Sequence, residues 1–296
     1  MLFHRQKILL SLLESLGGAQ SATDFQKYLF LYTTTCEKEK SYDFVPYKYG
    51  CYSFQAYADK IKLINKGYLK DSENWELANF DISYAHTLSK NEPKKLGLFS
   101  DRYISLKGNE LLQHVYKNYP YYATRSIISE KILTPSEIVE LEKYKPKKKR
   151  KPVMATIGYE GGSIETYLNR LIQADIRLLI DVRKNPISRK YGFSKNTLSK
   201  LLSKIGVDYI HIPELGIQSV DRKNLNTQKD YEKLFLSYES TVLNTEVKSL
   251  ELVFNLYKEK RRVALTCFEK DHHQCHRSRI AERLAQEKPE LELIHL

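Results

Sequence analysis

The residues best suited to chemistry are concentrated in one segment near the end of the sequence, Cys267-Phe-Glu-Lys-Asp-His-His-Gln-Cys-His-Arg277. Its last three residues, Cys275, His276 and Arg277, precede a helical pattern, so we expect them at the positive end of a helix. That position lowers the pKa of a thiol and favours an anion. We therefore predict that Arg277 binds an anionic group and that Cys275 and His276 are candidates for catalysis.

The same segment raises the question of a metal ion. Zinc ligation by Cys267, Cys275 and a histidine is one alternative, a nucleophilic cysteine is another, and a simply packed Cys267 is a third. Because the sequence has no Cys-x-x-Cys spacing, we predict no metal and no cofactor.

Three further polar motifs each follow a short apolar segment: Gly158-Tyr-Glu-Gly-Gly162, Asp181-Val-Arg-Lys-Asn-Pro-Ile-Ser-Arg189 and His211-Ile-Pro-Glu-Leu-Gly216. Glycines let the backbone approach a ligand closely, and arginines bind phosphate through two parallel hydrogen bonds. As alternatives, the glycines form only a tight turn, and the arginines form an internal ion pair with Asp181. The predicted ligand- and phosphate-binding residues are Gly158, Tyr159, Gly161, Arg183, Arg189 and Arg277.

Carboxylates in these motifs are candidate acids and bases. Glu160 and Glu269 form the natural general acid–base pair if the protein is an enzyme, and Asp181 adds a third acidic group. The predicted catalytic residues are Glu160, Asp181, Glu269, Cys275 and His276.

The elements that must position these motifs are four apolar strands with helical patterns between them. The strands are predicted at Val153–Ile157, Leu178–Val182, Tyr209–Ile212 and Val263–Phe268, and the helices at 164–172, 194–205 and 230–259. This alternation predicts an α/β fold: a doubly wound, mostly parallel sheet with helices on both faces. Ligands bind beyond the carboxyl ends of the strands in such sheets, so the four motifs predict one shared site.

These motifs resemble those of the family called domain of unknown function 488. The resemblance rests on Thr-Ile-Gly-Tyr-Glu-Gly at 156–161, Ile-Asp-Val-Arg through Gly-Phe-Ser at 180–194, His-Ile-Pro-Glu-Leu-Gly at 211–216 and Cys-Phe-Glu-Lys-Asp through Ile-Ala at 267–281. It covers residues 153–296. It implies an α/β fold with these residues as a shared polar set, and it implies no particular reaction.

The N-terminal part of the sequence has the pattern of a mainly helical, winged-helix-like domain. An amphipathic helix containing Ile8, a second helix beginning near Ser21 and a third at Phe54–Asn65 precede a β-hairpin around Tyr68–Ala78. The aromatic segment 42–53 is predicted to be a loop.

The segment Phe44-Val-Pro-Tyr-Lys-Tyr-Gly-Cys-Tyr-Ser53, with the helix and Asn-Lys-Gly-Tyr that follow, resembles the Panacea family. That family accompanies bacterial toxin–antitoxin and defence loci. The resemblance covers residues 1–140 and implies a recognition or partner-binding module. Lys60 and Lys62 on the third helix are predicted to face nucleic-acid phosphates, with an ordinary solvated face as the alternative.

A basic segment separates the two parts. The formal net charge is +12, and seven basic residues with no acidic one lie in Lys143–Pro152. The predicted domains are 1–142 and 153–296, joined by a linker at 143–152. Nucleic-acid binding is predicted for Lys147, Lys148, Lys149 and Arg150, and a solvated linker is the alternative.

Composition excludes several classes of protein. Four cysteines are too few for a disulfide framework in 296 residues. No apolar stretch approaches the roughly 20 residues that cross a bilayer, and Glu14 interrupts the N-terminal apolar segment. We therefore predict no membrane association and a cytoplasmic location.

These expectations lead to one functional hypothesis and two alternatives. The chain is expected to act on nucleic acid, first of all DNA, or on a nucleotide, as a hydrolase- or glycosylase-like enzyme in bacterial defence or DNA maintenance. Its N-terminal domain would contact the polymer or a partner protein. The alternatives are a non-enzymatic regulator whose α/β domain senses a small anionic ligand, and an adaptor with a vestigial site.

Overall fold

The computed structural model describes residues 1–89, 91–147, 151–218, 225 and 227–296. Two compact units make up the chain, Met1–Lys145 and Pro146–Leu296, called here the N-terminal and C-terminal units. Among the described residues, every helix is too short or too polar to cross a membrane.

The N-terminal unit begins with three helices at the predicted places, α1 (His4–Ser15), α2 (Ala22–Thr35) and α3 (Phe54–Asn65). The Ser21 hydroxyl caps α2 by accepting from the Asp24 N–H, and Ser53 caps α3 in the same way. The helix α1 is less amphipathic than predicted, because Leu10 and Ser11 are buried together with the apolar positions. Five further helices are α4 (Glu92–Tyr103), α5 (Gly108–Asn118), α6 (Pro120–Ala123), α7 (Ser129–Ile132) and α8 (Pro135–Glu142).

Two short antiparallel pairs complete this unit. Strand β1 (Ala19–Gln20) pairs with β4 (Trp75–Glu76), and a single bridge joins Leu69 to Leu77 at the place of the predicted hairpin. The strands of the second pair are β2 (Val45–Tyr47) and β3 (Gly50–Tyr52).

The second pair lies in the segment that was predicted to be a loop. Gly50 adopts a φ of +91°, and a Cβ there would lie 2.6 Å from the Tyr116 ring, so the turn requires glycine. The buried Lys27 ammonium donates to the Cys51 carbonyl oxygen at 3.1 Å. This packing explains why a segment with Pro46 and Gly50, typical of a loop, forms a hairpin.

The C-terminal unit is built on a five-stranded parallel sheet. Four strands are those predicted, β5 (Val153–Gly158), β6 (Leu178–Asp181), β7 (Asp208–His211) and β8 (Arg262–Cys267), and the sheet order is β7-β6-β8-β5-β9. The fifth strand, β9 (Leu293–His295), was not predicted; it has three residues and, among the described strands, pairs with β5 alone. Strand β8 therefore lies between β5 and β6, although it follows both in the chain.

Helices flank this sheet, so the α/β prediction is confirmed for the unit. Their bounds are α9 (Ile164–Gln173), α10 (Lys195–Lys204), α11 (Gln228–Tyr238), α12 (Val247–Lys260) and α13 (His276–Glu287). The predicted single helix 230–259 is divided by a π-helical turn at Glu239–Leu243. Leu265 of β8 packs in one core with Val253 of α12 and Ile280 of α13. The next residue, Thr266, points to the opposite face and accepts a hydrogen bond from Tyr167 of α9 at 2.8 Å.

Candidate functional site

The four polar motifs meet at one edge of the sheet, as predicted. Gly158 is the register partner of Cys267, and Asp181 is that of His211. Asp181 is also the register partner of Thr266, so the ends of β5, β6, β7 and β8 lie side by side. Their carboxyl ends face the same way because all the strands are parallel.

Two thiols, a carboxylate and an imidazole form a compact cluster at the end of β8, called here the thiol cluster: Cys267, Glu269, Cys275 and His276. The Cys267 and Cys275 thiols each donate to Glu269 Oε2 at 3.0 Å. His276 Nδ1 lies 3.6 Å from Cys267 Sγ and 3.9 Å from Cys275 Sγ. The two cysteines and the histidine are buried, and Glu269 is half-buried. The predicted catalytic residues Glu269, Cys275 and His276 are therefore brought together.

The electrostatic environment of Cys275 differs from the prediction. Burial raises the pKa of this thiol well above its ordinary value, and the neighbouring Cys267 and Glu269 raise it further. The Arg277 charge acts in the opposite direction but is the smaller influence. This direction is opposite to the lowered pKa that was expected for Cys275 at the N-terminus of a helix.

Arg277 supports the loop rather than presenting its charge to a ligand. Its side chain is buried, Nη1 donates to the Glu269 carbonyl oxygen at 2.7 Å, and Nη2 donates to that of Lys270 at 3.3 Å. The prediction of Arg277 as a phosphate-binding residue is corrected accordingly, because two of its nitrogens already hold the backbone that follows β8.

Arg183 and Asp181 form a buried ion pair, the alternative that the sequence left open. Arg183 Nε donates to Asp181 Oδ1 at 2.8 Å, and Nη2 donates to Oδ2 at 2.6 Å. Nη1 donates to the Tyr159 hydroxyl at 2.8 Å and to the Phe193 carbonyl oxygen at 2.9 Å. Tyr209, which sequence reasoning missed, donates to Asp181 Oδ2 at 2.7 Å. Burial by itself lowers the pKa of Arg183, but the ion pair with Asp181 raises it overall.

This ion pair changes the interpretation of two predicted site residues, Asp181 and Tyr159. Asp181 is fully buried and holds Arg183, so its geometry is that of a positioning residue rather than a catalytic one. Tyr159 is buried with its ring stacked on Phe193 at 4.2 Å, and it forms a wall of the site instead of a flexible ligand contact.

The turn after β5 interlocks with the loop after β8. A Cβ at Gly158 would lie 1.8 Å from the Glu269 carbonyl oxygen, so this glycine accommodates the neighbouring loop, not a ligand. Glu160 is exposed, and its Oε2 accepts from the Lys270 N–H at 3.0 Å. Gly161 has a φ of +74° with open space around it, which fits the tight-turn alternative. The two members of the predicted acid–base pair therefore have different partners, since Glu160 binds loop backbone and Glu269 binds the thiols.

A cleft of about 380 Å³ opens beside the thiol cluster. The described residues that line it are Tyr159, Arg183, Lys184, Asn185, Ile187, Ser188, Arg189, Ile217, Cys267 and Phe268. They include three cations and no carboxylate. Arg189, a predicted phosphate-binding residue, is exposed, and Phe268 and Ile187 keep 46% and 85% of their surface exposed. A second cavity of about 430 Å³ shares Lys184 and Ile217 with this cleft.

Sequence reasoning missed Lys184 and Phe268 although both lie inside quoted motifs. Their position next to strand ends could have revealed them, since loop side chains at that edge of the sheet can line the site. They were missed because the candidates were chosen among arginines and glycines.

The basic residues predicted to bind nucleic acid have different environments. Lys60 is buried, and its ammonium donates to the Ser72 and Glu73 carbonyl oxygens at 2.9 and 2.8 Å, so the prediction that it faces phosphate is wrong. Lys62 and Lys147 are exposed. Lys148, Lys149 and Arg150 lie outside the described residues.

Comparison with known proteins supports the resemblance of the C-terminal unit. Residues 163–284 match the family described as Domain of unknown function DUF488, a stretch that includes Asp181, Arg183 and the thiol cluster. No curated protein and no solved structure matches the chain. The resemblance of the N-terminal part to the Panacea family stays a prediction.

Proposed function

We propose that the C-terminal unit binds a nucleic acid, first of all DNA, or a nucleotide in the cleft beside the thiol cluster, and that the chain processes a phosphate- or base-bearing group there. The observation that carries this proposal is the charge of the cleft, because its described lining has three cations and no carboxylate. A cleft with charges of one sign concentrates ligands of the opposite charge.

Phosphate recognition falls to the two cations that lie beyond the buried ion pair. Arg189 is exposed and Lys184 is half-buried, so both can reach an anion in the cleft. Arg183 adds charge at the wall, but Asp181 neutralises much of it. The expected affinity therefore depends mainly on Lys184 and Arg189.

Recognition of a base falls to the exposed ring of Phe268. Stacking a base on an aromatic side chain stabilises single-stranded complexes by about 1–3 kcal/mol. The ring lies next to Cys267, so a base stacked on it would lie close to the thiol cluster. A volume of about 380 Å³ suits a ligand of nucleotide size.

Glu269 is the carboxylate in the best position for acid–base chemistry in this arrangement. It is half-buried and accepts a hydrogen bond from each of two thiols, whereas Asp181 binds an arginine and Glu160 binds a backbone amide. A hydrolase- or glycosylase-like step on an extruded base is the reaction class we propose.

A regulator that senses an anionic ligand is the second candidate. The structural partners of Asp181 and Glu160 favour it, since they leave fewer carboxylates for catalysis. A double variant, Glu160→Gln with Glu269→Gln, separates the two: an enzyme keeps binding and loses turnover, whereas a regulator keeps its full response.

For the N-terminal unit we propose a winged-helix-like recognition role of the Panacea type, in a defence or DNA-maintenance setting. The order of α1 to α3, the β1–β4 pair and the bridge at Leu69 supports this proposal. The exposed Lys62 is the predicted residue of this unit that would contact DNA, whereas Lys147, also exposed, belongs to the C-terminal unit.

The experiment that tests ligand binding uses the full chain and a fluorescent single-stranded DNA, competed with nucleoside monophosphates. Replacing both Lys184 and Arg189 by alanine should weaken binding and reduce the slope of log affinity against log salt by about one for each lost phosphate contact. A control variant replaces Lys200 and Lys248, which are exposed and lie outside the cleft lining. Equal affinity of the two double variants, or no binding at moderate salt, would refute the proposal.

A further inference from the structure

We propose that Cys267, Cys275 and His276 bind one Zn²⁺ ion through two thiolates and an imidazole nitrogen, with the fourth position left to a non-protein ligand such as water. This inference goes beyond the proposed function and does not depend on it, since the thiol cluster lies behind the cleft whether or not a nucleotide binds there. It also reverses the sequence-based prediction of no metal.

The separations between the donor atoms match a tetrahedral zinc site. With Zn–S near 2.3 Å and Zn–N near 2.0 Å, tetrahedral angles place sulfur about 3.6 Å from nitrogen. His276 Nδ1 lies 3.6 Å from one sulfur and 3.9 Å from the other. The ligand atoms of Cys267, Cys275 and His276 all lie within 4.8 Å of one another. Glu269 Oε2 lies 3.0 Å from both sulfurs, closer than the roughly 3.5 Å between two corners of a tetrahedral zinc site, so it is a hydrogen-bond acceptor of the thiols rather than a fourth ligand.

The second hydrogen bond of His276 fixes the tautomer that a metal needs. His276 Nε2 lies 2.9 Å from the Val182 carbonyl oxygen. Because a carbonyl oxygen can only accept, Nε2 carries the proton, and in the neutral ring Nδ1 then presents its lone pair toward the sulfurs. Histidine ligands of metals characteristically donate their other N–H in this way.

Rigid elements hold the proposed ligands. Cys267 is the last residue of β8, His276 is the first residue of α13, and Cys275 is the residue that precedes that helix. The Tyr238 ring packs edge-on against the His276 ring at 5.7 Å. A site formed on a strand end and a helix start keeps its geometry better than one formed on a free loop.

The charges fit a dithiolate zinc site. Two thiolates and Zn²⁺ sum to zero, and the N-terminus of the 12-residue helix α13 favours the negative charge of the sulfur ligands. The buried Arg277 guanidinium follows His276 directly and adds a compensating positive charge.

The donor set favours zinc over a hard cation. Thiolates and imidazole select zinc and related soft ions, whereas magnesium and calcium prefer oxygen. A second group, Asp271, His272 and His273, is largely exposed and has no sulfur, so a sulfur-specific signal distinguishes the two places.

The test titrates the full chain, reduced and stripped with a chelator, with Co²⁺ and then with Zn²⁺. We expect one Co²⁺ per chain, visible d–d absorption of tetrahedral cobalt, and a sulfur-to-cobalt charge-transfer band that Zn²⁺ abolishes. Both thiols release their protons to the buffer when the metal binds, about two per ion, and a pH indicator counts them.

Variants assign the signal to the proposed ligands. Cys267→Ser and Cys275→Ser should each lose the charge-transfer band at one equivalent, whereas Glu269→Gln should keep the band. Cys51→Ser, which removes a buried thiol of the N-terminal unit, should behave like wild type. So should the double variant His272→Asn with His273→Asn.

Three results would overturn the proposal: no charge-transfer band in the reduced wild-type chain, a band that survives both Cys267→Ser and Cys275→Ser, or a Cys267–Cys275 disulfide under the same reducing conditions, seen as a mass two hydrogens lower. If a serine variant fails to fold by circular dichroism, the wild-type spectrum and proton count still decide. Failure of DNA binding leaves this test unaffected.

Discussion

Replacing Asp181 by asparagine should destabilise the C-terminal unit far more than the loss of a surface carboxylate. Asp181 is fully buried and accepts three hydrogen bonds from Arg183, through its backbone N–H, Nε and Nη2, and a fourth from Tyr209. Asparagine removes the negative charge while Arg183, 6% exposed, stays positive. Removing one partner of a buried ion pair costs about 3–5 kcal/mol.

A graded series tests this reasoning. Tyr209→Phe removes one hydrogen bond to the same carboxylate and should cost about 1.5–3 kcal/mol, the range for bonds to charged groups. Asp208→Asn removes a carboxylate that is 64% exposed and paired with Lys260, and it should leave the stability unchanged within error. Asp181→Asn should cost more than Tyr209→Phe because it removes the charge itself rather than one hydrogen bond to it, and Asp208→Asn should cost least because its carboxylate is exposed.

Hydrogen exchange of the full chain in low denaturant is the appropriate assay. The single tryptophan, Trp75, belongs to the N-terminal unit, so its fluorescence does not report directly on the sheet of the C-terminal unit. Since about 1.4 kcal/mol corresponds to a factor of ten, amides of β6 should exchange at least about a hundredfold faster in Asp181→Asn. If Asp181→Asn and Asp208→Asn exchange at similar rates, the ion pair does not hold this edge of the sheet.

Three further outcomes are expected from the structure. Gly158→Ala places a Cβ against the Glu269 carbonyl oxygen and should lower the free energy of unfolding by about 1–3 kcal/mol, seen as a lower melting temperature. An unchanged melting temperature would show that the two loops separate freely. Lys60→Ala removes two partly buried hydrogen bonds from a charged group to the Ser72 and Glu73 carbonyl oxygens, and it should cost about 1–3 kcal/mol by urea denaturation. Lys62→Ala should leave stability unchanged and reduce the salt dependence of DNA binding. The reverse pattern would contradict the assignment. Burial, and secondarily the stacked His272, lowers the pKa of His295. The contribution of His295 to the free energy of unfolding is therefore present above the ordinary histidine pKa of about 6.5 and is lost as pH falls through the lower pKa of the folded state. His295→Phe should flatten that pH dependence in denaturation curves collected over a pH series.

The sequence predicted the strands that form the site better than it predicted the roles of the side chains on them. Strands β5, β6 and β8 are continuous apolar runs that end in glycine or polar motifs, and this pattern has few other interpretations. Once the strands are parallel, their polar ends must share an edge. The position of the site therefore followed from local pattern and topology alone.

The partners of the charged side chains could not be read from residue type. Arg183, Arg277 and Lys60 were predicted to bind phosphate, yet each donates to a carboxylate or to backbone oxygens in its own unit. A cationic side chain can bind either an external anion or an acceptor within the fold, and its burial in the folded protein determines which of the two it binds. Arg189, also predicted to bind phosphate, is exposed, so its charge remains accessible to an external anion.

The thiol cluster shows a related limit of motif spacing. Cys267 and Cys275 are separated by a loop rather than by a tight two-residue turn, so the spacing did not indicate a metal. The strand end and the helix start bring them together through the turn at Asp271, which accepts from the His273 N–H at 2.9 Å. Tertiary position, rather than distance along the chain, determines which sulfur atoms meet.

The central place of β8 has a consequence for synthesis of the protein. Strands β5 and β6 emerge from the ribosome with no neighbour between them, and the strand that fills the gap follows only after residues 182–261. At about 5–20 residues per second, two apolar strands wait for several seconds with unpaired edges. During that interval the nascent C-terminal unit exposes apolar edges, a condition that favours aggregation. Slowing translation after Asp181 should therefore increase aggregation, whereas slowing it before Val153 should not.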